Sequence, residues 1–164
     1  MVELLFYIFA SVAVVAAISL IWQRNPVASA ISLVVTLVCQ AGLFLLLEAH
    51  FAATMQILVY TGAIMVLFVF VIMLLNLQDH ELGAPRYRPY KFVGGALALL
   101  SAVLIATTLL QTEAASATPV DSNFGTIEAV GLELFSTYLF PFEVLSLVLT
   151  AAIAGAVILG KKDL

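Results

Sequence analysis

Five apolar runs, 4–22, 28–47, 51–75, 92–110 and 138–159, are separated by short polar interruptions along the chain. Each is close to the ~20 residues with which a helix crosses a hydrocarbon core of about 30 Å. The pattern predicts an all-α integral membrane protein, a single membrane domain over 1–164 with five transmembrane helices. Asn25 is placed to cap the second helix, with Pro26 in its first turn, where a missing N–H costs little. The first two helices therefore form a tight antiparallel hairpin, and Glu48-Ala49-His50 makes an equally short turn into the third. Residues 76–90, with Gly83, Pro85 and Pro89, form a polar loop. The one long connection, 111–137, carries Ile127, Val130, Leu132, Leu134 and Phe135, a segment expected to lie along the outer surface.

Small and hydroxylated residues recur at helical spacing. Ser29, Ser32, Thr36 and Gln40 do so on the second helix, Gly94, Ala98 and Ala102 on the fourth, and Ser146, Thr150 and Ala154 on the fifth. Such stripes permit close backbone approach and hydrogen bonds between helices, which fits a subunit embedded in a larger assembly.

Composition agrees with the pattern. Hydrophobic residues make up 64% of the chain and charged residues 10%, so the apolar runs exceed what a soluble core needs. Charge adds orientation. Arg24, Arg86, Arg88, Lys91, Lys161 and Lys162 all fall on one side of a five-span topology, which the positive-inside rule makes cytoplasmic. The N-terminus is then outside and the C-terminus inside. The net charge of −4 is the uneven sum of two faces, and no basic patch suggests nucleic acid. The first run lacks a positive n-region and a clear cleavage site, so it is expected to be retained as a helix.

Candidate chemistry is sparse. Cys39 is the one cysteine, which excludes an intrachain disulfide and a cysteine-based cluster or zinc site within the chain, and its simplest role is packing. His50 and His80 have no metal-ligand companion at helical spacing, and no phosphate loop, nucleophile–base pair or haem ligand pair is present. No catalytic, cofactor-binding or metal residue is expected. Glu143, after Pro141-Phe142, and Glu48 stand near helix ends as interfacial acids; either could pair with a neighbour or hold a proton, though a structural role at a helix terminus suffices for both. No span carries an acid, lysine or arginine near its middle, which a self-contained ion carrier normally needs.

The third run holds the exception. Tyr60 lies on the order of 14 Å in from Phe51 at ~1.5 Å per residue, close to mid-membrane. Gln56 stands one turn before it and Gly62 just after. An unpaired phenol there costs about 1–3 kcal/mol, so Tyr60 should meet water or an acceptor. Two readings follow: a tyrosine packed with one interhelical hydrogen bond, or a gate beside a water chain, where an irregularity such as a π-bulge lets the segment turn between two states.

The stretch Gln56-Ile57-Leu58-Val59-Tyr60-Thr61-Gly62-Ala63-Ile64-Met65-Val66-Leu67-Phe68 and its continuation to Leu74 resembles the third helix of the subunit J family of bacterial NADH-quinone oxidoreductase, respiratory complex I, whose mitochondrial counterpart is subunit 6. Arg24-Asn25-Pro26-Val27 and the segment from Leu134-Phe135 through Tyr138 to Pro141-Phe142-Glu143 are similar to that family as well. The resemblance covers essentially the whole chain. It departs at Ser136-Thr137, where many relatives would carry an acid, so a proton role for that acid does not transfer.

The resemblance implies a multi-pass subunit of a proton-translocating NADH-quinone oxidoreductase in the bacterial inner membrane, packed among subunits equivalent to K, H, A and N. It implies no cofactor in this chain, with FMN, iron–sulfur clusters and quinone in the rest of the complex. It implies a π-bulge in the third helix whose rotation makes or breaks a water path, with Tyr60 lining the path, Gln56 on the same polar face, Gly62 relieving crowding, and Met65 and Phe68 as plugs. The alternatives are an independent small transporter or channel, and a purely structural scaffold in the same complex.

Overall fold

The computed structural model describes residues 1–75, 88–111 and 123–161. These residues form helices and no strand. In chain order they are α1 (Val2–Trp22), α2 (Pro26–Leu46), α3 (His50–Met55), a π-helical stretch (Gln56–Ile64), α4 (Met65–Leu74), α5 (Arg88–Gln111), α6 (Ile127–Phe135) and α7 (Leu139–Gly160). The stretch from α3 to α4 is one continuous apolar helix, His50–Leu74, called the third helix below. By length and composition four helices can cross a membrane: α1, α2, the third helix and α7. A shorter apolar stretch, Phe92–Thr108, lies within α5. His80 and the charges at Asp79, Glu81, Arg86, Glu113, Asp121, Lys162 and Asp163, most of which bear on orientation, lie outside the described residues.

Local chemistry explains the first hairpin. Asn25 Oδ1 accepts from the backbone N–H groups of Val27 at 2.9 Å and Ala28 at 3.3 Å, and Pro26 opens α2. These bonds satisfy donors that the first turn of a helix leaves without intrahelical partners. Ser29 Oγ donates to the Leu20 carbonyl of α1 at 2.9 Å, and Ser32 Oγ lies 3.4 Å from Ser19 Oγ. The lower half of the second-helix stripe thus joins α2 to α1. Higher up, Thr36 turns back to the Ser32 carbonyl of its own helix, as Ser146 and Thr150 do within α7. Hydroxyls on a helix can always satisfy themselves on the preceding turn, so spacing alone does not establish an interhelical bond.

α2 is the centre of the packed part of the chain: α1 lies along one side of it and the third helix along another. The interior is built mostly of small side chains, Ala16, Ala30, Cys39, Ala41 and Ala53, joined by Met65 and Ile72. Without a hydrophobic drive between helices in lipid, close backbone approach supplies the packing, and small residues permit it. Gly42 illustrates the fit, since a Cβ there would come within 2.8 Å of the Phe9 ring. Cys39 is buried and free in this interior, in keeping with its packing role. α5 touches no other described helix, and α7 touches only α6, helped by an edge-on pair of Phe135 and Phe142 with centroids 5.0 Å apart.

The long connection contributes α6, capped by Thr126, whose hydroxyl accepts from Ala129 N–H at 3.2 Å. Just before it, Gly125 docks on the turn between α2 and α3: the Phe51 N–H donates to the Gly125 carbonyl at 2.8 Å. Both partners in this contact have left-handed backbone, Gly125 at φ 70° and Glu48 at φ 59°. A Cβ on Gly125 would drive into the Glu48 carbonyl, and backbone cannot swing aside as a side chain can. Gly125→Ala should therefore loosen this docking at a cost of at least ~1 kcal/mol from the left-handed conformation alone. The expected outcome is a lower midpoint for thermal unfolding of the chain in membranes; an unchanged midpoint would show that the contact carries no stability.

Candidate functional site

The π stretch supplies the geometry on which the site depends. Met65 N–H reaches the Tyr60 carbonyl, five residues back, and Thr61 Oγ1 donates to the Gln56 carbonyl, also five back, at 3.1 Å. Bonds of this span widen the turn, so each residue turns the helix less than the ~100° of an α-helix. The consequence shows in which side chains meet α2. Gln56 and Met65 are both buried, at 6% and 5% exposure, although they are nine residues apart. In an unbroken α-helix nine residues at ~100° each place two side chains on opposite faces. The wide turns bring both to one face, in line with Ala53 before them and Ile72 after.

Gly62 fits this register for a steric reason. A Cβ at Gly62 would stand 3.1 Å from the Ile57 carbonyl oxygen, again the group five residues back. That is tighter than ordinary contact, and the obstructing atom is backbone within the same helix.

Gln56 is the buried polar side chain of the described residues, and its Nε2 donates to Gln40 Oε1 on α2 at 3.3 Å. No buried side-chain polar atom among the described residues is without a partner. The sequence marks Gln40 as a member of the second-helix stripe, and the structure adds its pairing with Gln56. The signal was available: Gln40 and Gln56 stand eight residues on either side of Glu48, and an antiparallel hairpin turning there brings the two to the same depth.

Tyr60 stands apart from this buried face. It is 53% exposed, and its hydroxyl has no hydrogen-bond partner among the described residues. With Gln40 and Gln56 it lines an open groove of about 430 Å³ between α2 and the third helix, closed elsewhere by Leu37, Phe44 and Met55. The predicted site residues therefore divide. Gln56 and Tyr60 meet at the groove, Met65 is packed into an apolar cluster with Ala30 and Ile72, and Phe68 is half exposed and lines neither the groove nor the cluster.

The two candidate acids lie outside the groove. Glu48 occupies the turn before α3, where its Oε2 lies 3.1 Å from His50 Nε2 and both side chains are largely exposed. Glu143 sits one turn into α7, which begins at Leu139 with Tyr138 as its capping position, so its carboxylate does not cap the helix. Among the described residues no cluster of histidine, cysteine or acidic side chains is suited to hold a metal ion.

The arrangement is an open groove that holds an amide pair and a phenol without a hydrogen-bond partner among the described residues, beside a helix of π register. Residues 16–159 match the family model of NADH-ubiquinone/plastoquinone oxidoreductase chain 6. The chain belongs to this family. Among curated members, the NADH-quinone oxidoreductase subunit J of Pseudomonas aeruginosa is 39% identical, with 98% of this chain and 98% of the relative covered. The subunit J of Rhodobacter capsulatus is 38% identical over 94% of this chain and 79% of its own length. That of Escherichia coli strain K12 is 34% identical over 98% of this chain and 88% of the relative. Membership of the chain 6 family makes the third helix of this chain part of a subunit of a quinone-reducing respiratory complex.

Gly62→Val tests whether the glycine is required by the wide turn. Forcing a branched Cβ against the Ile57 carbonyl should cost about 1–3 kcal/mol and reduce quinone-reductase turnover of the membrane-bound complex several-fold, or lower its assembled amount. Parental turnover at parental abundance would show that nothing at this position is strained.

Proposed function

We propose that this chain is a membrane-arm subunit of a proton-translocating NADH-quinone oxidoreductase, in which the third helix helps couple quinone reduction to proton pumping by gating a water path. On this reading it spans the bacterial inner membrane five times, N-terminus outside and C-terminus cytoplasmic, with α5 as the fourth span and α7 as the fifth. Its partners are the subunits equivalent to K, H, A and N, which meet the apolar faces of α5 and α7. The redox groups, FMN, iron–sulfur clusters and quinone, belong to other subunits. A chain with Cys39 as its one cysteine lacks the set of thiolates that a cluster requires.

The observation that carries the reading is the register of residues Gln56–Ile64. A π stretch keeps its backbone bonds made while it sets the faces of the two flanking halves, and conversion to α register would turn one half against the other without exposing backbone to lipid. In the π state Met65 packs against α2 and Tyr60 faces the groove, a geometry in which water could reach the phenol. In the turned state Met65 leaves α2, and Met65 or Phe68 blocks the path. Tyr60 holds water in the open path through its hydroxyl, and Gln56 supplies the amide beside it. Deep acids that carry the proton onward belong to neighbouring subunits, and Glu48 and Glu143 serve the outer surface.

Scaffolding within the same complex is the second reading, and it draws on Met65, whose burial among Ala30, Ile72 and their neighbours is what plain packing requires. Tyr60→Phe separates the two. The variant keeps the ring and removes one hydroxyl, so the complex should assemble in parental amounts while protons pumped per electron, measured in reconstituted vesicles, fall. Wild-type stoichiometry and rate in that variant would make Tyr60 a packing residue and favour the scaffold.

A further inference from the structure

Gln56 is the first residue of the π stretch, and it is bonded in two directions. Its side chain holds α2 through Gln40, and its carbonyl receives the Thr61 hydroxyl across the wide turn. The contact at the other end of the stretch is of a different kind. Met65 meets Ala30 and Ile72, with Leu33, Val34, Leu37 and Val69 around them, all apolar.

This difference decides which half of the helix can turn. A change of register must carry either Gln56 or Met65 away from α2. An amide drawn off its partner loses a directional bond, and Gln56, the buried member of the pair, loses the one side-chain partner it has. A methionine drawn off an apolar face exchanges it for lipid or another apolar side chain, and lipid is as apolar as the face it left. The directional bond stands at one end of the stretch and the replaceable contact at the other. The N-terminal end is held a second time, by the Phe51 N–H bonded to the Gly125 carbonyl.

We propose that Gln40 is a positioning residue for the third helix: its bond to Gln56 holds the half before the π stretch against α2, favours the π register at rest, and makes the half from Met65 onward the part that turns. This rests on the gating reading above. Gln40 acts through Gln56 and the helix register. It is itself exposed on α2 and lines the same groove as Tyr60, so a polar group entering the groove from a neighbouring helix could compete for it.

The test uses the assembled complex with Cys39→Ala, Ala30→Cys and Met65→Cys in this chain, and reads copper-phenanthroline cross-linking between positions 30 and 65. The register at rest faces Met65 to Ala30, so the parent should cross-link efficiently at rest. In that background Gln40→Leu, Gln56→Leu and the double variant are compared with the complex amount fixed by native electrophoresis. Resting yield should fall several-fold in Gln40→Leu and stay low in the double variant. If the amides served only to satisfy each other, the double variant, which leaves neither unpaired, would regain the parental yield, and the positioning role would be overturned. Should Gln40→Leu fail to assemble, Gln40→Asn keeps the amide but shortens its reach; reduced yield supports the proposal and parental yield overturns it. The gating reading is judged separately, by whether parental yield drops on adding NADH and a short-chain quinone. A parent that cross-links equally at rest and in turnover would sink the gate while the resting comparison still judged Gln40.

Discussion

Inside a bilayer no water stands ready to accept a broken backbone hydrogen bond, and this constraint governs how the third helix can be irregular. A kink that freed carbonyls would need another helix to satisfy them. The π stretch over Gln56–Ile64 avoids that need by reaching five residues back instead of four, as Met65 does to Tyr60. The helix stays fully bonded and its faces shift. That shift is why Gln56 and Met65, which an α-helix would oppose, lie together on α2. Gly62 fits the wide turn, and the third helix makes a polar contact with α2 before the stretch and an apolar one after it.

The same solvent explains the modest interior. Lipid removes the incentive to bury large apolar side chains, so the packed region relies on alanines, a cysteine and Gly42, which let α1 and the third helix approach α2 closely. Polar groups are few and local: the Asn25 cap, the serine contacts between α1 and α2, and the Gln40–Gln56 pair. Large exposed apolar surface on α5 and α7 is what a subunit of a membrane complex presents before its neighbours and lipid cover it. Membership of the chain 6 family accords with that surface.

Much of this could be read from residue order, and the exceptions have physical causes. Helix positions were legible because hydrocarbon thickness fixes how long an apolar run must be, and the hairpin at Asn25-Pro26 because capping is local chemistry. The segment around Ile127–Phe135 read as surface-lying, and it forms a capped helix. Interhelical bonding was less legible: Ser29 and Ser32 reach α1, whereas Thr36, Ser146 and Thr150 satisfy themselves on their own helices, a choice that spacing does not encode. The proposed gate residues, Gln56, Tyr60, Gly62, Met65 and Phe68, are legible in sequence as a set, but a run of letters does not show which face each occupies. Met65 and Phe68 stand only about 60° apart around the one α-helical segment, and the way α4 rests on α2 buries the first and leaves the second half exposed. Gln40 escaped because its importance lies in a partner sixteen residues away.

The central claim is that the register of the third helix changes as the enzyme works. Electron cryo-microscopy of the purified complex, at a resolution that traces backbone carbonyls, tests it directly by comparing particles at rest with particles frozen during turnover. The account predicts five-residue bonds over 56–64 with Met65 against α2 at rest, and a second population in turnover with four-residue bonds there and Met65 turned away. One register in every particle under both conditions would contradict it.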